Sequence, residues 1–227
     1  MHIEPGIVDG AKIVLSYATA GGAGVYAGTL AWKHLKERGP GSMLLGTSIT
    51  TAMTLAFFEI LPHFPVGVSE VHLILGSTLF LLFGVAPAAF GLALGLLIQG
   101  VFLAPFDLPQ YGMNLTTLLV PLFALQYVAG RTIAPQTPYT RLKYRQALTL
   151  STTYQAGIVS WVTFWALYGE GFSGQTVAGI ATFGVAYLLV IVVEPLADLA
   201  VLAGAKSLDR NISGSWLEPR LFRPAMV

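Results

Sequence analysis

The sequence predicts an all-α integral membrane protein with about seven transmembrane helices, an amino terminus outside and a carboxyl terminus in the cytoplasm. Of the 227 residues, 55% are apolar and only 10% are charged, whereas a soluble domain carries about 25% charged residues. The mean hydropathy is +0.70. We therefore expect residues 1–227 to form one polytopic domain in a lipid bilayer.

The apolar runs give seven spans, because each transmembrane helix needs about 20 apolar residues. The third run, residues 71–83, is too short to cross about 30 Å of hydrocarbon at about 1.5 Å per residue. It is therefore either half-buried in the bundle or begins in the preceding connector, residues 62–70. Only Gly84 and Val85 separate it from the fourth run, which predicts a tight helical hairpin or one kinked element. The predicted spans are residues 11–35, 42–61, 71–83, 86–102, 113–133, 147–168 and 175–203.

The positions of lysine and arginine set the orientation, since cytoplasmic loops are enriched in both. With the amino terminus outside, the cytoplasmic segments hold every lysine and arginine except Lys12. They are Lys33, Lys36, Arg38, Arg131, Arg141, Lys143, Arg145, Lys206, Arg210, Arg220 and Arg223. The outer side then carries acidic residues, namely Glu4, Asp9, Glu70, Asp107 and Glu170.

The first residues have the donors for a metal site. The chain opens on Met1, His2 and Ile3 without a basic and apolar leader, so we expect the mature protein to begin at Met1. The Met1 amine, the main-chain nitrogen of His2 and the His2 imidazole can close two adjacent chelate rings on one ion. One further nitrogen would complete a square, the geometry that Ni(II) and Cu(II) favour. The alternative is a frayed terminus in which His2 has no role.

His72 is the predicted fourth donor, because it begins the third span on the same outer side as the terminus. His63 is the competing candidate, but it lies between two prolines and is typical of a solvated loop residue. His34 lies on the opposite side beside basic residues, which predicts a contact with lipid headgroups. The chain has no cysteine, which excludes disulfides and thiolate metal sites.

Three acidic residues fall inside predicted spans, where ionisable side chains are costly and are functional candidates. They are Glu59, Glu194 and Asp198, although Glu59 lies near an interface and Asp198 lies one turn beyond Glu194. The sequence contains no zinc-hydrolase, serine-hydrolase or phosphate-loop motif. An active transporter built on this chain would therefore need an ATPase in another subunit.

Three segments resemble the CbiM/NikM family, the membrane substrate-capture subunits of energy-coupling-factor transporters for cobalt and nickel. Residues 1–3, Met-His-Ile, precede an acidic stretch and are similar to the family's opening Met-His-Ile-Pro-Asp-Gly. Residues 64–73, Phe-Pro-Val-Gly-Val-Ser-Glu-Val-His-Leu, resemble its connector ending in Thr-Ser-Gly-His-Leu. Residues 99–102, Gln-Gly-Val-Phe, and 111–114, Tyr-Gly-Met-Asn, are similar to its Gln-Ala-Leu-Leu-Phe and Leu-Gly-Ala-Asn elements.

The resemblance implies a ligand set and a transport function. The metal would be bound by the Met1 amine, by His2 through its main-chain nitrogen and imidazole, and by His72, with Ser69 and Asn114 nearby as hydrogen-bond partners. Ni(II) or Co(II) would be the transported substrate, without an organic cofactor and without nucleic acid. The partners would be a transmembrane coupling protein and two ATPases.

Two features of the sequence bear on that expectation. The connector has two residues rather than one between Ser69 and His72, and it lacks the family's Gly-Gly, which leaves the metal's identity open. Ala20, Gly24 and Gly28 form a face of small residues on the first span. This face could pack against the protein's own helices or, with the basic inner loops, against the coupling protein.

Two other function classes stay open at this point. A membrane enzyme with an outer-leaflet histidine site would need an open coordination position and a general base, for which Glu70 is available. Such an enzyme should have a solvated cleft beside the metal, whereas a capture site should enclose it. In a protein that is only a scaffold, His2 and His72 would lie far apart.

Overall fold

The computed structural model describes residues 2–134 and 137–208, which form a helical bundle. Four of its segments are long and apolar enough to cross a membrane: Gly10–Glu59, Val85–Phe102, Pro105–Thr132 and Gly174–Ser207. These findings support the predicted all-α membrane protein, while the count of seven spans and the orientation stay predictions. The helices are α1 (Ile13–Glu59), α2 (Gly76–Phe83), α3 (Val85–Phe102), α4 (Tyr111–Thr132), α5 (Tyr144–Glu170) and α6 (Gly174–Leu208).

Short elements connect the helices at the two ends of the bundle. A two-stranded antiparallel hairpin, β1 (Phe64–Val66) and β2 (Ser69–Val71), lies between α1 and α2. Three turns of 3₁₀-helix cover Gly10–Lys12, Pro105–Gln110 and Tyr139–Arg141.

Gly39 interrupts the long helix α1. Its φ of 79° and ψ of 167° are not helical, and a positive φ of this kind is accessible to glycine without steric strain. The helix consequently reverses, because Ser16 near its start and Phe58 near its end both lie at the bundle end that holds the amino terminus. The two limbs of α1 correspond to the predicted spans 11–35 and 42–61.

His34 lies at this reversal and is buried, with its Nε2 atom 3.2 Å from Ser42 Oγ on the second limb. The expected contact of His34 with lipid headgroups is therefore wrong. The fold of α1 brings the second limb over the imidazole, an arrangement that the neighbouring lysines and arginines in the sequence do not indicate.

The predicted span 71–83 contains more than a helix. Strand β2 ends at Val71, and α2 begins only at Gly76 and has eight residues. At about 1.5 Å per residue, α2 is about 12 Å long and cannot cross a bilayer by itself. Gly84, with a φ of 85°, separates α2 from α3, and the two helices pack as the expected hairpin.

The remaining helices follow the predicted order. Helices α4, α5 and α6 coincide approximately with spans 113–133, 147–168 and 175–203, and each packs against the next. Helix α5 ends beside the amino-terminal segment, where Lys12 Nζ donates to the main-chain oxygen of Gly169 at 2.6 Å.

The two ends of the bundle differ in charge. One end holds residues 2–12, the hairpin and the turn at 105–110, while the other holds the Gly39 and Gly84 turns and residues 137–143. Apart from Lys12, the lysines and arginines of the described residues lie at the second end, in or beside Lys33–Arg38, Arg131–Arg145 and Lys206. Arg210, Arg220 and Arg223, which the sequence places in the cytoplasm, lie outside the described residues.

Close packing of α1 and α3 gives a test of the fold. A Cβ atom added at Gly91 of α3 would lie 2.0 Å from Thr50 Oγ1 and 2.8 Å from the Thr50 carbonyl carbon on α1. We expect Gly91→Ala to push the helices apart and to lower the free energy of unfolding by about 1–3 kcal/mol. Thermal unfolding of the protein in detergent micelles measures this change.

Gly184→Ala is the matched control, since a Cβ added there meets no atom within 4 Å and alanine favours a helix. Its unfolding temperature should equal or exceed that of the wild type. An unchanged unfolding temperature for Gly91→Ala would contradict the close helix contact.

Candidate metal site

Residues 2–4 run alongside strand β2 as a short additional strand. The main-chain N–H of Glu70 donates to the His2 carbonyl oxygen at 2.9 Å, and Ile3 pairs with Ser69 in an antiparallel bridge. Ser69 Oγ also donates to the His2 carbonyl oxygen at 2.8 Å. Ile3 is fully buried. The segment from His2 onward is therefore ordered, and the frayed-terminus alternative does not describe it.

Asn114, near the start of α4, holds the same segment from the opposite side. Its Oδ1 accepts a hydrogen bond from the Ile3 main-chain N–H at 2.8 Å, and its side chain is buried. The two residues expected to assist the site, Ser69 and Asn114, thus bind the main chain of residues 2 and 3. Their hydrogen bonds fix where the His2 side chain begins.

The β1–β2 hairpin is docked on α6 through Gly67. Its φ is 64°, and an added Cβ atom would lie 2.2 Å from the main-chain oxygen of Gly179. Only glycine allows this approach without displacing α6. The docking fixes β2, and with it Glu70 in that strand and His72 just after it.

His2 and His72 meet in the interior. His2 Nδ1 lies 3.2 Å from His72 Nε2, and the ring centroids are 5.0 Å apart at 75°. The two residues are 2% and 1% exposed. Phe58 packs against both rings, and His63, which is exposed, stacks on His72 with a centroid distance of 5.0 Å. The structure therefore places His72 in the cluster and His63 outside it.

Glu70 completes the cluster. Its Oε2 lies 2.8 Å from His2 Nδ1 and 2.7 Å from His72 Nε2. Within the described residues, His2, Glu70 and His72 form a group able to hold a metal ion, with ligand atoms all within 4.8 Å of one another. Sequence reasoning considered Glu70 only as a general base. The available signal was the strand periodicity, because residues 70 and 72 share one face of an extended chain.

The protonation states suit metal binding. Burial lowers the pKa of His2, and it lowers the pKa of His72 to about 2. Burial by itself raises the pKa of Glu70, but hydrogen bonds to His2 and His72 outweigh it and lower that pKa below its usual range. At neutral pH both imidazoles are therefore neutral and Glu70 is ionised, which are the forms that coordinate a cation.

The two imidazoles are enclosed, whereas the Glu70 side chain is 21% exposed. A cavity of about 10 Å³ adjoins His2 and Asn114, barely enough for one water molecule. His72 Nδ1 and Asn114 Nδ2 are buried and have no hydrogen-bond partner among the described residues. Unpartnered buried polar atoms are unfavourable, and they are typical of a site that binds a polar ligand.

The three acidic candidates within the predicted spans lie outside the cluster. Met1 is outside the described residues. Glu59 is exposed and accepts a hydrogen bond from Gln99 Nε2 at 2.8 Å. Glu194 and Asp198 are buried on α6, where they bind the chain leading into α2 and the first turn of that helix.

Comparison with known proteins gives a family and a fold. Residues 2–211 match the family described as "Cobalt uptake substrate-specific transmembrane region", CbiM. A search of curated proteins found no match. The crystal structure of a truncated transition metal transporter is similar with a TM-score of 0.64 and 16% identity, covering 93% of this chain and 100% of that one. A second transition metal transporter structure has a TM-score of 0.64 and 18% identity, covering 93% and 95%.

The hydrogen bond from Ile3 to Asn114 can be tested directly. Asn114→Leu keeps a similar volume but leaves a buried N–H unpaired, which should cost about 1–3 kcal/mol. We expect amide hydrogen exchange at Ile3 and Glu4 to become about tenfold faster or more, measured by mass spectrometry of amino-terminal peptides.

Thr117→Val serves as the control on the same helix, because Thr117 Oγ1 donates only to the Met113 carbonyl oxygen within α4, at 2.8 Å. Its amino-terminal exchange should match the wild type. Equal exchange in Asn114→Leu and wild type would show that Asn114 does not hold the segment.

Proposed function

Because the chain belongs to the CbiM family of cobalt-uptake transmembrane proteins, we propose that it captures a divalent transition metal at His2, Glu70 and His72 for import. The observation that carries this proposal is the 3.2 Å approach of His2 Nδ1 to His72 Nε2 between residues 70 positions apart. Two neutral imidazoles beside a carboxylate in an enclosed site are suited to a metal cation.

The ligand geometry supports a planar nitrogen site. In such a site the Met1 amine and the His2 main-chain nitrogen close a five-membered chelate ring, and the main-chain nitrogen and His2 Nδ1 close a six-membered one. Nδ1 is also the His2 atom that faces His72. With metal–nitrogen bonds of about 2 Å, adjacent corners of a square lie about 2.8 Å apart, so a small shift from 3.2 Å brings His72 Nε2 to the fourth corner.

Glu70 supplies negative charge beside the cation. Its Oε2 lies within 2.8 Å of both imidazole nitrogens. A divalent ion bound by a deprotonated main-chain nitrogen retains one positive charge, which the carboxylate offsets in a buried environment where an unpaired charge is costly. Ni(II) and Co(II) are the proposed substrates, with nitrogen donors and no thiolate in the site.

The enclosure favours capture over catalysis. A membrane metalloenzyme would need an open coordination position and room for a substrate beside the metal. Here both rings are almost completely buried, the Glu70 side chain is 21% exposed, and the cavity beside His2 and Asn114 is about 10 Å³. A site of this kind strips the metal of water and holds it, which is the behaviour required of a capture subunit.

Import against a gradient requires partners in this proposal. The chain would act in the cell's inner membrane with a transmembrane coupling protein and two ATPases, which would hydrolyse ATP. Among the described residues, no atom lies within 4 Å of a Cβ added at Gly24 or Gly28 on α1, so the described helices leave these two positions uncovered. With Ala20, these glycines are the proposed contact with the coupling protein.

Lengthening the amino terminus tests the proposed amine ligand. One glycine added before Met1 moves the amine out of its chelate ring, so nickel or cobalt uptake by cells should fall to the level of cells without the transporter. One glycine added after Val227 is the control and should leave uptake unchanged, at equal amounts of protein in the membrane. Full uptake with the extended amino terminus would contradict the amine ligand.

The two histidines near the hairpin can be distinguished by substitution. His72→Ala should weaken Ni(II) binding by more than the roughly 10–100-fold typical of residues that only orient a ligand. His63→Ala removes an exposed ring that stacks on His72 and should change the Kd by less than about tenfold. Titration calorimetry of the purified protein measures both values. The reverse order of effects would assign the ligand to His63.

A further inference from the structure

Ile74 and Leu75, which follow His72, are held by hydrogen bonds to helix α6. Residues 72–75 connect β2 to α2 without regular secondary structure. Helix α2 has no side-chain cap of its own at its amino terminus. Its first N–H groups and those of the connection would be unpaired in the interior unless another element supplied acceptors.

Glu194 of α6 supplies those acceptors. Its Oε1 accepts from the main-chain N–H of Ile74, and the main-chain N–H of Leu75 also donates to the carboxylate. Its Oε2 accepts from Gln155 Nε2 on α5, and Gln155 Oε1 accepts from the Tyr187 hydroxyl at 2.5 Å. Glu194 and Gln155 are both 0% exposed. The carboxylate is therefore held between α5 and the segment that carries His72.

The backbone of that segment adopts a conformation that needs such support. Leu75 has a φ of 53°, which is uncommon for a residue other than glycine and costs about 1–3 kcal/mol. At Gly76 an added Cβ atom would lie 2.2 Å from the Tyr154 ring of α5. The segment is thus constrained from α5 and α6 together.

Asp198 binds one turn further along α6 and has different partners. It accepts from the hydroxyl groups of Ser77 at 2.5 Å and of Thr78, inside α2. A hydroxyl can rotate to another acceptor, whereas the main-chain N–H groups of Ile74 and Leu75 cannot reorient. Asp198 stabilises α2, and Glu194 fixes the connection that leads back to His72.

We infer that Glu194 is a positioning residue of the metal site, because it fixes the main chain at Ile74 and Leu75 and so determines where His72 presents Nε2. This inference rests on the proposed function. A ligand must be held within about 0.5 Å of its bonding position, and Ile74 lies two residues from His72. The chemistry required is hydrogen-bond acceptance, not charge.

The variants follow from this requirement. Glu194→Met keeps a similar volume but removes both acceptors. Glu194→Gln keeps one oxygen for the Ile74 and Leu75 N–H groups. If the Gln155 side-chain amide flips by about 180°, the new amide N–H at position 194 can donate to Gln155 Oε1. The Tyr187 hydroxyl can then accept from Gln155 Nε2. Asp198→Leu is the matched control, a buried carboxylate lost from the same helix one turn away.

The experiment measures the Kd for Ni(II), the visible absorption band of the bound Ni(II) and the unfolding temperature of the full chain in detergent micelles. Glu194→Met should raise the Kd roughly 10–100-fold and shift the band. Glu194→Gln should match the wild type in both. Asp198→Leu should lower the unfolding temperature but leave the Kd and the band unchanged.

An unchanged Kd and band in Glu194→Met would overturn the inference, as would an equal weakening by Asp198→Leu at a similar loss of stability. If Glu194→Met does not fold, Gln155→Met takes its place, because it removes the amide that fixes the Glu194 carboxylate. A wild-type Kd in that variant would also overturn the inference. Failure of the wild-type chain to bind either Ni(II) or Co(II) would instead refute the proposed function.

Discussion

The pairing of residues 2–4 with strand β2 is the interaction on which the site depends. It holds the His2 main chain through Glu70 N–H and Ser69 Oγ, and buries Ile3, which contributes about 1.5–3 kcal/mol. Ordering a chain end loses about 1–2 kcal/mol of backbone entropy per residue, so a terminus stays ordered only where such contacts exist. Without this pairing, His2 would not reach His72, and no cluster would form.

Hydrogen bonds and close contacts hold the site at several points between the chain terminus and the middle of the bundle. Asn114 on α4 and Ser69 on β2 fix the terminal segment, Gly67 allows the hairpin to contact α6, and Glu194 on α6 holds the chain beyond His72. The supports come from α4, from the hairpin and from α6. These contacts hold the main chain on both sides of the imidazoles before a metal binds, which lowers the conformational cost of binding.

The sequence predicted the class of fold and the main histidines because those properties depend on local patterns. Apolar runs identify helices in a membrane whatever their neighbours are, and the distribution of lysine and arginine separates the two ends. That topology alone placed His2 and His72 on one side. The 3.2 Å approach of their nitrogens in the structure agrees with it, while Met1 lies outside the described residues.

Only the tertiary structure revealed Glu70 in the cluster, the burial of His34 and the partners of Glu194. These features arise from contacts between distant residues, such as the 68 positions between His2 and Glu70 and the 120 between Ile74 and Glu194. A hydrogen bond between residues so far apart produces no periodic residue pattern in the sequence. Hydropathy and charge are properties of single segments and fixed the membrane class, whereas the ligand geometry is a property of how those segments pack.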